Sequence, residues 1–185
     1  RTALDEHQFV LHYQPIVTLP DGRLAGVEAL VRWQQPHAGL TGPDQFIPAA
    51  ERSGLIVELG RWILQDACQQ MIAWDRALGA GAPPRVSVNA SARQVAEPAF
   101  ADTVAQVLAI TGLPANRLTI EVTETAVFGG QAVTTLQSIH DLGVRIALDD
   151  FGTGHSSLGL LRDCPVDVIK VDKSFVDRVT EPGRH

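Results

Sequence analysis

From residue 85 to residue 171 the sequence alternates short aliphatic runs with helical stretches that stop at glycine or proline. This rhythm narrows the possible folds more than any other feature. The runs 85–89, 117–122, 144–148 and 166–171 are β-branched and aliphatic, and short enough for buried strands. Between them lie a helical stretch over 99–111 closed by Gly112 and Pro114, another over 131–142 closed by Gly143, and a short helical segment after Ser156. Strand and helix alternating at about 25–30 residues per unit predict right-handed βαβ crossovers and a parallel sheet.

The first half has a different pattern. Residues 1–8 are a polar lead-in. Strands over 9–19 and 23–33 flank Pro20-Asp21-Gly22, a turn in which proline presets φ and glycine tolerates a positive one. They predict an antiparallel hairpin. Pro43-Asp44 opens a short helix reaching about Glu51. Ile56, Leu59, Ile63, Ala67, Met71, Trp74 and Leu78 then recur at spacings of three and four, the stripe of one long amphipathic helix. Gly79 and Gly81 end it, and Pro83-Pro84 prevents its resumption. The Met-and-Trp stripe reads as core.

A length of 185 residues suits one domain, here taken as 1–185. No window approaches the 18 or more apolar residues of a membrane span, and no signal segment opens the chain, so a cytoplasmic location is expected, with a membrane-anchored parent protein still open. Cys68 and Cys164 lack metal-ligand spacing and read as structural. A net charge of −6 argues against a DNA-binding surface, so an anionic substrate needs a local cation.

Polar residues collect at the strand ends. The second strand carries Glu28 and Arg32, four apart and on one face. The next strands end in Asn89, in Glu121, in Asp149-Asp150, and in Lys170 with Asp172. Parallel α/β folds build their sites at such carboxyl ends. Two charges about 4 Å apart repel by roughly 4 kcal/mol at an effective dielectric near 20. The Asp149-Asp150 pair therefore calls for a counter-charge, or else is a solvated pair opening a turn. Carboxylate and amide oxygens without thiols or paired histidines suit Mg²⁺ or Mn²⁺ better than zinc. Any one of these residues alone reads better as a solvated loop carboxylate, and Lys170 has a plainer reading as a salt-bridge partner of Asp172. Five strands each delivering one to the same end argue for a shared site.

Those residues carry a resemblance. Tyr13-Gln14-Pro15-Ile16, Glu28-Ala29-Leu30, the segment Phe46 to Glu51, Asn89-Ala90-Ser91, Glu121-Val122-Thr123-Glu124, Asp149 to Gly154 and Lys170-Val171-Asp172 resemble the motif series of the EAL-domain phosphodiesterases, in order and over essentially the whole chain. The resemblance implies a modified (β/α)8 TIM-like barrel whose first strand is antiparallel, and hydrolysis of the bacterial second messenger cyclic di-GMP to linear pGpG. It further implies that Glu28, Asn89, Glu121 and Asp149 hold one metal ion, with Asp150 holding a second and Asp149 shared. The chemistry asks for such a pair, because two cations acidify a water and neutralise the charge of an in-line displacement. By the same resemblance Lys170 orients the water or the phosphoryl oxygens, with Glu28 and Glu124 also in the catalytic set. Glu124 steadies the loop 151–157, which couples catalysis to dimerisation. Gln14 and Arg32 contact substrate, and Asp172 lies near the second metal and a guanine-side loop. His12, His37 and His140 receive no role, and His155 only a place in the loop.

Family members continue past the position of Thr180 through two further βα units, carrying another metal-site glutamate and a glutamine. A closed barrel takes about 250 residues. The chain is therefore expected to be a piece of an intact domain, with a gap filled by a partner copy or a shortened inactive form as alternatives. Sensory or diguanylate-cyclase-like (GGDEF-type) modules are expected upstream, and a homodimer is possible in the family. Two other functions compete with the hydrolase: a receptor that binds cyclic di-GMP without cleaving it, and a regulatory scaffold that binds no nucleotide.

Overall fold

A computed structural model describes residues 1–127, 130–152 and 164–176. The helical segment expected after Ser156, His155 and the end of the chain lie outside the described residues. After a short helix α1 (Thr2–Asp5), β1 (Phe9–Val17) and β2 (Leu24–Gln35) form the expected antiparallel hairpin, with Gln14 opposite Glu28. β1 ends at Val17, two residues before the expected end, and the turn begins at Thr18. Its carbonyl accepts the Gly22 N–H at 2.9 Å, and Gly22 takes φ +65°. A strand absent from the sequence reading, β3 (Gly39–Thr41), pairs antiparallel with the end of β2. Three residues are too few to show alternation.

Helix α2 (Pro43–Ser53) starts with proline at its first position and stops at Gly54, whose φ of +81° is left-handed. Helix α3 (Ile56–Leu78) buries Ile56, Leu59, Ile63, Leu64, Ala67, Cys68 and Met71 along one face. Ile56, Leu59, Ile63, Ala67 and Met71 belong to the stripe read from the sequence, and its Trp74 packs edge-on against Tyr13 at 4.7 Å, whereas Leu78, expected in the same core, is exposed at the helix end. Burial pushes the Cys68 thiol up to about 12 and the Cys164 thiol to about 11, so both act as apolar core groups.

The alternating half follows as β4 (Val86–Asn89), α4 (Ala92–Val95), α5 (Ala99–Thr111), β5 (Leu118–Thr123), a 3₁₀ turn over Glu124–Val127, α6 (Gly130–Asp141), β6 (Arg145–Phe151), β7 (Val168–Val171) and a short helix, Lys173–Val176. The four-residue α4 is a further element too short for its periodicity to show. The sheet order is β1-β2-β4-β5-β6-β7, with β3 off this path, and the neighbours β2-β4-β5-β6-β7 pair in parallel, as the βαβ rhythm predicts.

Alternation along these strands sorts the two faces. Val86, Val88, Leu118, Ile120, Val122, Ile146 and Leu148 enter one apolar core with the α3 stripe. Ser87, Thr119, Glu121, Ala147 and Asp149 therefore occupy the other face. The sheet is rolled around that second face. Four inter-strand steps at about 4.8 Å put β2 and β7 about 19 Å apart in a flat sheet. Yet Lys170 of β7 lies 3.2 Å from Glu28 of β2. Among the described residues no hydrogen bonds join β1 to β7, so the roll is an unclosed arc.

Strand β6 departs from expectation in a way that matters for the site. The sequence reading ends it at Leu148, but it runs on through both aspartates. Leu148 pairs with Ile169 and Phe151 with Val171, three steps on β6 against two on β7. The extra residue is a β-bulge, and Asp150 sits in it with φ +55°.

At the opposite end of the sheet Arg117 ties α3 to the chain entering β4. It donates to both Asp75 oxygens, Oδ1 at 2.9 Å, and to the Pro83 and Pro84 carbonyls at 2.9 and 3.0 Å. The hydrogen bonds from Arg117, and then its charge, hold the Asp75 carboxyl below the usual carboxylate range. A depressed folded-state pKa contributes stability that is present above the unfolded value and lost as pH falls through the folded one. Asp75→Asn should thus lower the Tm by about 2–4 °C at pH 7. In thermal melts the gap to the parent protein should shrink below about pH 4.

Candidate functional site

Four parallel strands aim polar side chains into the arc, each from near its carboxyl end. Asn89 is the last residue of β4 and sits beside Glu121 of β5 in register. Asp149 is two residues further along β6 than the partner of Glu121, and Lys170 is on β7. Glu28 joins them from mid-β2, the position its sequence context implies.

Lys170 is the meeting point. Its Nζ donates to Glu121 Oε2 at 2.6 Å, to Asp149 Oδ2 at 3.1 Å and to Glu28 Oε2 at 3.2 Å. It thus pairs with the cluster, not with Asp172 as the alternative reading has it. Asn89 Nδ2 donates to the other Glu28 oxygen at 2.9 Å, leaving the Asn89 carbonyl oxygen as an acceptor. Burial pushes the Glu121 carboxyl up from its ordinary range, against hydrogen bonds from Lys170 and from Ser87. Burial also opposes the Lys170 charge. The Glu121 hydrogen bond, with the charges of Glu121, Glu28 and Asp149, overcomes it and holds the ammonium above its usual range. Lys170 is therefore a fixed positive charge at neutral pH.

The donor set fits a hard cation. One oxygen each from Glu28, Glu121 and Asp149 lies within 4.8 Å of the others. Three carboxylates against one ammonium leave a net charge of −2 when all are ionised, which one divalent ion neutralises. All the donors are oxygen, the ligand type of Mg²⁺ and Mn²⁺.

Asp150 lies outside that triad and is exposed. Partial burial raises its pKa first, then the charges of Asp149, Asp172 and Glu28, against Lys170. It therefore shares the cluster's field from the rim. Glu124 is buried in the turn after β5, and its Oε1 accepts the Gly152 N–H at 3.1 Å, bracing the chain just past the bulge. Gln14 is exposed across the hairpin from Glu28 and shares its face. Arg32 is half-buried opposite Val10 and donates to the Val31 carbonyl at 2.8 Å. It has no ion-pair partner among the described residues. Asp172 accepts from the Ser174 hydroxyl and backbone N–H, which lower its pKa, and so caps the short helix Lys173–Val176. The structure thus brings Glu28, Asn89, Glu121, Asp149 and Lys170 together, and leaves Asp150, Gln14, Arg32 and Asp172 around them. Ser87, whose hydroxyl donates to Glu121, was missed by the sequence reading. Its signal is the period-two spacing from Asn89 on the same strand. A cavity of about 320 Å³ opens beside Asn89, Ser91 and Thr123, walled by Leu30 and Ile47.

A rolled parallel sheet with an oxygen-rich acidic cluster at its strand ends defines a TIM-like barrel domain built around carboxylates that could hold a cation. The chain belongs to the EAL domain family, whose model matches residues 1–184. It is 42% identical over 181 residues to the bifunctional diguanylate cyclase/cyclic di-GMP phosphodiesterase MucR of Pseudomonas aeruginosa, covering 97% of this chain and 26% of MucR. Identity to the cyclic di-GMP phosphodiesterase NbdA of the same organism is 43% over 178 residues, covering 95% of this chain and 22% of NbdA. The solved PaMucR phosphodiesterase in complex with c-di-GMP matches with a TM-score of 0.90 at 41% identity, over 98% of this chain and 73% of that one. The chain thus spans about a quarter of the length of these curated relatives. Among the described residues no helix is long and apolar enough to cross a membrane.

Removing the ammonium should expose the cost of the cluster. In Lys170→Met the buried Glu121 loses its counter-charge, and its folded-state pKa rises further above the unfolded value. A raised carboxyl pKa means stability present at low pH and lost as pH rises. The metal-free variant should lose on the order of 3 kcal/mol near pH 8 and much less near pH 5, measured by urea unfolding at both pH values.

Proposed function

We propose that the chain is the phosphodiesterase domain of a longer cytoplasmic signalling protein, and that it hydrolyses cyclic di-GMP to linear pGpG. The observation that carries this reading is the convergence of Glu28, Glu121 and Asp149 on Lys170, in a chain 42% identical to a protein named for that activity. Glu28, Asn89, Glu121 and Asp149 would hold one Mg²⁺ or Mn²⁺, and Asp150 with Asp149 a second. When bound, the cations supply charge neutralisation and a more acidic water. Lys170 stays protonated and presents a fixed positive charge to the phosphoryl oxygens or to the attacking water. Arg32, without an ion-pair partner among the described residues, clamps a phosphate, and Gln14 and Asp172 contact the nucleotide from the rim. Glu124 holds Gly152 and through it the bulge that carries Asp150. A GGDEF-type or sensory module accompanies the domain in the parent protein, and self-association is the expected regulatory state.

The test is turnover of cyclic di-GMP with Mg²⁺ or Mn²⁺, followed by chromatography of the products. Glu28→Ala should lower kcat/KM on the order of 100-fold or more, and chelation should abolish activity until metal is restored. Arg32→Ala should raise KM about tenfold with kcat nearly unchanged, because it removes binding made equally in ground and transition states. Tight binding without turnover would instead establish a receptor, and absence of binding a scaffold.

A further inference from the structure

We infer that Gln94 is the positioning residue for Asn89, seated in a notch that the missing side chain of Gly60 leaves in α3. The inference rests on the reading of Asn89 as a metal ligand. Asn89 stands where its strand runs out. The Ala90 N–H still bonds to the Glu121 carbonyl at 2.8 Å, and beyond it the chain turns away into α4. The direction of the Asn89 side chain thus depends on how the next residues are held.

They are held by one side chain. Gln94 Oε1 accepts both the Ser91 N–H and the Ser91 hydroxyl, each at 3.1 Å, while the Gln94 N–H donates back to Ser91 Oγ at 3.3 Å. Such a reciprocal pair ordinarily caps a helix of some length. Here the helix has four residues, so the cap is large for the element it serves. A second observation shows what else it is anchored to. An ideal Cβ on Gly60 would lie 2.6 Å from Gln94 Cδ, with Nε2 nearer still, so any other residue at 60 would evict the amide. Gly60 is mid-helix, where glycine is a poor helix former. Its position is explained by the amide lying against it. Gln94 is 4% exposed, so the amide has little room to move. The rigid body of α3 is thereby linked through Gln94 to Ser91, and through two peptide units to Asn89. Asn89 in turn meets Glu28 at 2.9 Å, across 61 positions of sequence.

Mn²⁺ titration of the protein monitored by electron paramagnetic resonance tests this, together with the Asn89 side-chain amide signal in ¹H–¹⁵N spectra of the metal-free protein. Gln94→Ala should weaken Mn²⁺ binding about tenfold and release the Asn89 amide from its Glu28 bond. Gly60→Ala should do the same with residue 94 intact, while thermal unfolding stays a single cooperative transition. Gln94→Glu, which keeps the accepting oxygen, should retain near-parental affinity. Parental Mn²⁺ affinity in both Gln94→Ala and Gly60→Ala, with an unchanged Asn89 signal, would overturn the inference. If the parent protein bound no Mn²⁺, the metal reading would fall by itself, and the Asn89 signal in Gln94→Ala would still decide the positioning claim.

Discussion

One ammonium group sits where four strands of the rolled sheet converge. Lys170 reaches three carboxylates that belong to β2, β5 and β6, and it can do so only because the sheet is rolled. Such a contact is a poor way to gain stability. Charges taken out of water lose hydration that their mutual attraction barely repays, and a well-packed apolar cluster of similar volume would serve the fold as well or better. Glu121 makes the point most sharply, since its side chain is 1% exposed and burial works against its charge. A buried carboxylate with two more beside it is an expense of function. The excess negative charge over the Lys170 ammonium is what a bound cation would neutralise.

The layers around the cluster divide the labour. On the helix side, Val86, Val88, Leu118, Ile120, Ile146 and the α3 stripe form a continuous apolar core. On the other side the same strands present Ser87, Thr119, Glu121 and Asp149. Alternation along a strand makes the two sets inseparable, because each apolar residue that packs on a helix projects its neighbour into the arc. Rigid strands held by a dry core are therefore the reason the polar groups keep their spacing. Where a strand ends, that guarantee lapses. Asn89 is at such an end, and the Ser91–Gln94 cap with its seat on Gly60 takes over the same task.

Much of this was readable from the chain alone. The α3 stripe, the hairpin around Gly22 and the glycine stops after α5 and α6 are local signals, and each element lies within a few residues of its expected place. The strand-end residues were also legible, since Asn89, Glu121 and Asp149 close aliphatic runs. What the sequence could not show is set by tertiary contact. Which partner Lys170 takes depends on the roll of the sheet, and the neighbour in sequence, Asp172, loses to residues as many as 142 positions away. Elements of three or four residues such as β3 and α4 carry too little pattern to be seen. Ser87 was hidden because a small hydroxyl residue in a strand has no signal until its neighbours in space are known.

The bulge at Asp150 follows from the same geometry and shows why adjacent aspartates need not repel one another into disorder. In a regular strand residues 149 and 150 would face opposite ways, and Asp150 would enter the apolar layer beneath the helices. A bare carboxylate there would have no compensating partner and would cost several kcal/mol. The extra residue between the Leu148–Ile169 and Phe151–Val171 pairs removes that conflict. It lets Asp150 adopt φ +55°, a left-handed conformation that aspartate tolerates better than most side chains, and turn outward. Gly152 then turns the chain away just past the strand with φ +101°, its bare Cα facing Phe175, where a Cβ would come within 2.8 Å of the ring. Glu124 fixes the peptide between them. One aspartate is thereby committed to Lys170 inside the arc, while its neighbour stands at the rim within the same electrostatic field. Two carboxylates consecutive in sequence thus come to occupy distinct environments.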